Sequence, residues 1–281
     1  MTDFVIGDIH GCFEEFLELI HTIRFNPDSD HLFFTGDIVN RGMDSCGILD
    51  WLLAHKSCST VVLGNHDIHV LAYANQVPLA PISESFDVIL AHPNASKWLH
   101  MMQQWPLWVQ LPNHIQMVHA AINSTWKPKM LQRLVGDISQ EMSSNIKQFL
   151  CGYYEFMKNY SGRLFWDNAW SSQEKWDNNQ LFTALFILTK ARYLKKADQG
   201  VHYHAKRSDH PSKRSVDDGW QPWYQLHPEK SDKIYFGHWA LLAGQSEHLS
   251  CISIDGGCVH GGKLIIENIS SGIRHDVSRF Y

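Results

Sequence analysis

Three short apolar runs near the start of the chain each stop at a glycine followed by a charged or amide side chain, and this pattern limits the fold more than any other feature. Phe4-Val5-Ile6 leads into Gly7-Asp8-Ile9-His10-Gly11, Leu32-Phe33-Phe34 into Gly36-Asp37-Ile38-Val39-Asn40-Arg41-Gly42, and Thr60-Val61-Val62-Leu63 into Gly64-Asn65-His66-Asp67. Apolar runs of this length bounded by turn formers read as buried strands. Between them, Phe13, Phe16, Leu17 and Ile20, and then Ile48, Leu49, Leu52 and Leu53, recur at helical spacing. Strand and helix in alternation predict an α/β layered fold, with β-sheets flanked by helices and polar side chains gathered at the strand carboxyl ends.

Beyond residue 70 the pattern is less regular. Residues 94–104 read as helix, Ile115 to Val118 as strand, and about 125–200 as mostly helical with aromatic residues scattered through it. The polar stretch from Gln199 to Gly219, with Lys206, Arg207, Lys213 and Arg214, reads as a mobile loop, and His202 and His204 fall in it with no strand beside them. Strands return at Lys233 to Phe236, Leu249 to Ile254 and Lys263 to Glu267. A chain of 281 residues with 44% hydrophobic residues can bury one large core. The expectation is a single domain over 1–281 with a helical cap inserted at about 125–230.

A net charge of −5 provides no general basic field, which argues against DNA and membrane surfaces as partners. The longest strongly apolar stretch, Leu181 to Leu188, is too short to span a bilayer, and no apolar run of signal type follows Met1. The six cysteines form no C-x-x-C pair and read as reduced, so a cytoplasmic protein is expected.

The strand-end pattern extends to His119, after Val118, and to Gly237-His238, after Phe236. In open α/β sheets, ligands bind beyond the carboxyl ends of the strands, where segments distant in sequence converge. Two carboxylates, one amide oxygen and three imidazoles, without thiolates, suit divalent manganese, iron, cobalt or zinc. A single carboxylate can bridge two such cations, about 3.5–4 Å apart, that activate water and clamp a phosphoryl group. Asp37, on the middle strand, is the natural bridge, and the guanidinium fork of Arg41 fits phosphate oxygens. The competing explanation, turn formation by Asp and Asn, would have to hold independently at five strand ends. Asp67 reads instead as a structural residue at a helix N-terminus. Gly257 to Lys263 imitates a phosphate-binding loop, but Leu264 replaces its Ser or Thr, and the glycines read as a turn between strands. Lys190, Arg192, Lys195 and Lys196 read as the solvated face of a helix, with a cationic rim for phosphates as the alternative. Trp239, beside His238, is the nearest tryptophan that could stack on a nucleobase.

The motifs GDIHG, GDIVNRG and GNHD, in that order with the later His119 and His238, resemble the calcineurin-like metallophosphoesterases and their phosphoprotein phosphatase branch. NHDIHVLA, FGHWALL and DGGCVHGGKL look like the versions found in the symmetrical bis(5′-nucleosyl)-tetraphosphatase family. That resemblance implies that Asp8, His10 and Asp37 bind one metal ion and that Asp37, Asn65, His119 and His238 bind a second. Manganese or cobalt would be foremost, with iron, zinc or magnesium as alternatives. It implies that Arg41 and Arg192 hold phosphate, and that His66 protonates the leaving group. The implied reaction is hydrolysis of diadenosine tetraphosphate at its central anhydride by a dimetal-activated hydroxide, giving two ADP. The implied partner is a small dinucleoside polyphosphate, and the same chemistry would open dinucleoside-polyphosphate caps at RNA 5′ ends. The oligomeric state stays open. A serine/threonine phosphoprotein phosphatase with the same dimetal centre is the main rival, and a non-catalytic nucleotide-binding protein is disfavoured by the complete ligand set. Two departures stand out. Asn40 occupies a position where protein phosphatases carry an Asp paired with the GNH histidine, which favours an anhydride substrate, and the family's T-R-M-R reads Thr189-Lys190-Ala191-Arg192 here.

Overall fold

The computed structural model describes residues 2–160, 163–205, 219–229 and 232–280. In the first sheet, β1 (Thr2–Ile6), β2 (Asp30–Phe34) and β3 (Ser59–Val61) run parallel, and β12 (Lys263–Asn268) and β13 (Arg274–Ser278) continue it antiparallel in the order β13-β12-β1-β2-β3. In the second, β5 (Gln116–Val118), β10 (Ile234–Phe236) and β11 (Cys251–Ser253) are parallel and β4 (Trp108–Gln110) is antiparallel, in the order β11-β10-β5-β4.

The apolar run Phe4-Val5-Ile6 in β1 follows from burial on both faces. Phe4 and Ile6 point into the main core with Phe16 and Leu19 of α1 (Phe13–Thr22) and Leu49 of α2 (Ser45–Ala54). Val5 points the other way, into a smaller cluster with Val62, Met117, Tyr235, Ile254 and Ile265. That smaller cluster joins the two sheets face to face, while helices cover their outer faces. Each large apolar side chain buried in it contributes about 1.5–3 kcal/mol. α3 (Asn65–Ala74) begins at the GNHD motif itself, and α4 (Glu84–Ala91) and α5 (Ala95–Gln103) follow it.

The segment after residue 125 departs from the mostly helical expectation. It carries α6 (Pro128–Asn159), bent at Asn145, and α7 (Asn178–Lys190), buried at every position from Gln180 to Thr189. It also carries an antiparallel sheet of β6 (Arg163–Asp167), β7 (Tyr193–Ala197), β8 (Gly200–His204) and β9 (Gln221–Pro222), ordered β6-β8-β7-β9. His202 and His204 therefore lie in a strand. In β8, Val201, Tyr203 and His204 are buried and His202 is exposed, and Asp198-Gln199 closes a two-residue hairpin with β7. The loop read around Lys206, Arg207, Lys213 and Arg214 lies outside the described residues. Among the described residues, no helix is long and apolar enough to cross a membrane, and all six cysteines are free thiols.

Candidate metal centre

Six parallel strands, three from each facing sheet, deliver polar side chains to one edge of the sandwich. Asp8 and His10 follow β1, Asp37, Asn40 and Arg41 follow β2, and Asn65 and His66 follow β3. From the second sheet come His119 after β5, His238 after β10 and Asp255 after β11. A cavity of about 390 Å³ is lined by all of these except His119, which is fully buried behind them. Asp255 is the residue that sequence reasoning missed, although the strand-end rule applied after Ile254 leads directly to it.

Asp37 is the hub. Its Oδ2 lies 3.4 Å from both His10 Nε2 and His119 Nε2, and His119 Nε2 is 3.3 Å from Asn65 Oδ1. The other nitrogen of each ring is already committed: His10 Nδ1 donates to Val39 O (3.2 Å), and His119 Nδ1 to Thr35 O (2.8 Å). His238 Nε2 likewise donates to Lys190 O (3.0 Å). A carbonyl accepts only, so these nitrogens carry the hydrogens, and the remaining ring nitrogens present lone pairs. Burial lowers His10 to about 4 and also lowers His119 and His238, which keeps the rings neutral. Lone pairs of neutral imidazoles thus face a carboxylate with no proton between them, an arrangement that fits a cation. Asp37 lies in two clusters whose nitrogen and oxygen atoms are within 4.8 Å of one another, one with His119 and His238 and one with His10 and His66, although His66 keeps its hydrogen on Nε2 because Nδ1 accepts from Asn40.

The carboxylates tell the same story. Burial, reinforced by the charges of Asp255 and Asp37, pushes Asp8 well above the usual carboxylate range, and burial, with Asp37 adding to it, raises Asp255 to about 6. At Asp37 burial opposes ionisation, but the surrounding imidazoles, His119 foremost, prevail and lower it. Asp8 is oriented by Thr35 Oγ1 (3.1 Å) and the His238 backbone N–H (2.9 Å). Among the described residues these three buried carboxylates form no ion pair with an ammonium or guanidinium, and positive charge would stabilise such a site.

The backbone is bent to bring these groups together. His10, Asp37, Asn40, Arg41 and His238 all adopt left-handed φ, between 47° and 78°. Asp67 is structural: it is fully buried, and its carboxylate accepts from the N–H groups of Asp37 (2.9 Å), Ile38 (3.0 Å) and Gly64 (2.9 Å), pinning the turn that carries Asp37. A Cβ on Gly64 would strike Asp37 Oδ1, and one on Gly237 would strike Asp8 Oδ1.

His66 stands beside the hub, its ring edge-on to His10 at 4.8 Å. Asn40 lies 2.7 Å from its Nδ1. The amide orientation is fixed because Asn40 Oδ1 accepts from the Arg41 N–H (2.9 Å) and from the Ser83 and Ser85 hydroxyls (2.8 Å each). The amide NH2 must therefore donate to His66 Nδ1, which leaves the hydrogen of a neutral ring on Nε2. Burial lowers His66 to about 3.

Arg41 Nη1 donates to His260 Nε2 (2.7 Å) at the rim. Arg192 lines the cavity, with Nη1 donating to Ala205 O (3.0 Å) and Nη2 to His238 O (2.8 Å). The four cations read as one solvated helix face diverge: Lys190 and Arg192 turn inward, while Lys195 and Lys196 are exposed on β7. Trp239 is no stacking platform. It is 2% exposed and packs against Tyr193 and Tyr224 in the core.

The family model for calcineurin-like phosphoesterases matches residues 2–178. A protein of Azotobacter vinelandii named symmetrical bis(5′-nucleosyl)-tetraphosphatase is 30% identical over 98% of this chain and 96% of its own length. The chain belongs to the symmetrical bis(5′-nucleosyl)-tetraphosphatase family of calcineurin-like phosphoesterases. Another relative with that name, from Haemophilus ducreyi, is 30% identical over 95% of both chains. A crystal structure provisionally titled as a diadenosine tetraphosphatase shares the fold, with a TM-score of 0.65 and 21% identity over 99% of this chain and 93% of its own. Membership in a metallophosphoesterase family brings divalent metal ions with it as cofactors, in agreement with the donor set around Asp37.

Proposed function

We propose that the chain hydrolyses diadenosine tetraphosphate at its central phosphoanhydride, releasing two ADP, and that the residues around Asp37 are its catalytic centre. Asp8, His10 and Asp37 would hold one divalent ion, and Asp37, Asn65, His119 and His238 the other, with manganese or cobalt best suited to this oxygen and nitrogen set. When bound, such ions supply Lewis-acid polarisation of the phosphoryl oxygens and an activated water. Arg41 Nη2 and Nε remain to donate to equatorial phosphoryl oxygens while Nη1 is steadied by His260. His66 Nε2–H donates a hydrogen bond to the departing oxygen.

The observation that carries this reading is the orientation of Asn40. An amide donor at Nδ1 disfavours the doubly protonated imidazolium, so His66 is a hydrogen-bond donor and a poor source of a full proton. A serine or threonine alkoxide needs that proton. ADP does not, because a terminal phosphate protonates near pH ~6. The test is chromatography of the products formed from diadenosine tetraphosphate by the manganese- or cobalt-loaded protein, with a phosphoserine peptide in parallel. ADP as the sole early nucleotide supports the reading. ATP plus AMP, or phosphate released from the peptide alone, refutes it. Release of ADP-ended RNA from capped transcripts would extend the substrate to RNA 5′ ends.

A further inference from the structure

We propose that Lys190, with His69 beneath it, is a second phosphate subsite of the catalytic cavity, taking the outer phosphate of the departing ADP. The inference rests on the reading of the substrate given above. Lys190 closes α7, and its side chain lines the same cavity as Asp8 and Asp37. Its Nζ lies 3.4 Å from His69 Nε2, to which the ammonium donates, and sits 5.8 and 5.9 Å from the ring centroids of Tyr153 and Tyr154. Among the described residues no carboxylate forms an ion pair with it.

A partly buried ammonium flanked by one imidazole and two aromatic faces is incompletely compensated, since cation–π contacts offset only part of its lost hydration. The other cavity cations are engaged. Arg192 spends two donors on the backbone of Ala205 and His238, and Arg41 spends one on His260. Lys190 therefore has two ammonium hydrogens to give, and a phosphate oxygen is the acceptor that would also neutralise it. His69 sets its location, because its ring is 5.3 Å from that of His66. His66 faces the departing oxygen, so the subsite beside it lies on the leaving-group side, one phosphate beyond the scissile bond. Selection for a leaving group with two phosphates would follow from this position, separately from the grip of Arg41.

Lys190→Met and Lys190→Arg variants test the assignment. Both keep the backbone carbonyl that accepts from His238, so neither removes that support from the metal centre. In the metal-loaded protein, Lys190→Met should lower kcat/KM for diadenosine tetraphosphate about tenfold to a hundredfold, mostly through KM, the size of one charge-assisted hydrogen bond. p-Nitrophenyl phosphate has no phosphate in its leaving group and should lose several-fold less, and Lys190→Arg should recover part of the loss. Equal losses on the two substrates, or none on either, overturn the assignment. Calorimetric titration of ADP into metal-free protein provides a second measurement: tighter binding by wild type than by Lys190→Met supports the subsite, and equal binding overturns it. If wild-type protein fails to cleave diadenosine tetraphosphate, the functional reading falls, and the ADP titration still decides for or against the subsite.

Discussion

Replacing Asn40 with Asp reverses the polarity of one buried hydrogen bond without changing its shape. In the native site the amide donates to His66 Nδ1 at 2.7 Å, and its orientation is locked by three donors onto Oδ1. A carboxylate can still accept from Arg41, Ser83 and Ser85, but toward His66 it now offers an acceptor. Nδ1 must then be protonated, and the imidazolium gains one charge-assisted hydrogen bond of about 1.5–3 kcal/mol. At about 1.36 kcal/mol per tenfold, that favours the imidazolium of His66 about tenfold to a hundredfold over the native ring, which burial lowers to about 3. The gain matters only where the leaving group needs a proton. Asp also tolerates the left-handed φ of 78° at this position. We therefore expect the ratio of kcat/KM on an alkyl or aryl phosphomonoester to that on diadenosine tetraphosphate to rise about tenfold, measured on metal-loaded protein with thermal melts as the control for folding. A ratio within twofold of wild type would refute the argument that the polarity of this bond sets the leaving-group preference.

Other perturbations follow from the same geometry. Asp67→Asn keeps the shape but must set an NH2 group against at least one of three backbone N–H donors; the weakened pair and the orphaned donor should cost about 3–5 kcal/mol in denaturant unfolding, and a loss under 1 kcal/mol would show that the turn is pinned by something else. Asp37→Ala should abolish turnover and leave fewer than two metal ions per chain by elemental analysis, whereas His238→Ala should retain about one; full occupancy in either would remove Asp37 as the bridge or His238 as a ligand. Acidification should destabilise metal-free protein between about pH 6.5 and 4. His10 and His66, lowered by burial to about 4 and about 3, stay neutral in the fold while their unfolded counterparts take up protons. Asp8, Asp67 and Asp255, all raised by burial, act in the opposite sense, but His119 and His238, lowered by burial, add to His10 and His66, so equal unfolding free energies at pH 7 and pH 5 would show that the imidazoles do not control this window.

The convergence of these side chains was legible because its logic is local. Each ligand candidate directly follows an apolar run, and strand ends converge whatever the details of the sheet. The same rule reaches Asp255, directly after the apolar run that ends at Ile254. What could not be read depends on distant partners. Nothing near Asn40 announces that Ser83 and Ser85, more than forty residues on, will fix its amide. The fate of Lys190 and Arg192 turns on α7 ending between them, which sends two cations inward instead of leaving them on a wet helical face. In β7 the exposed Lys195 and Lys196 masked a strand whose signal lay in its hairpin partner.

The left-handed backbone at His10, Asp37, Asn40, Arg41 and His238 has a consequence for how the chain behaves before it is loaded with metal. Such conformations cost about 1–3 kcal/mol each outside glycine, and here they coincide with mutually repelling carboxylates. The sheets are secured by their own apolar faces, whereas the edge that carries these side chains gathers buried carboxylates that a cation would stabilise. The chain should then mature in two stages, a sandwich that forms unaided and an edge that sets only on metal uptake, with amide exchange across residues 36–42 slowing sharply at the second stage while that of β1 and β2 hardly changes.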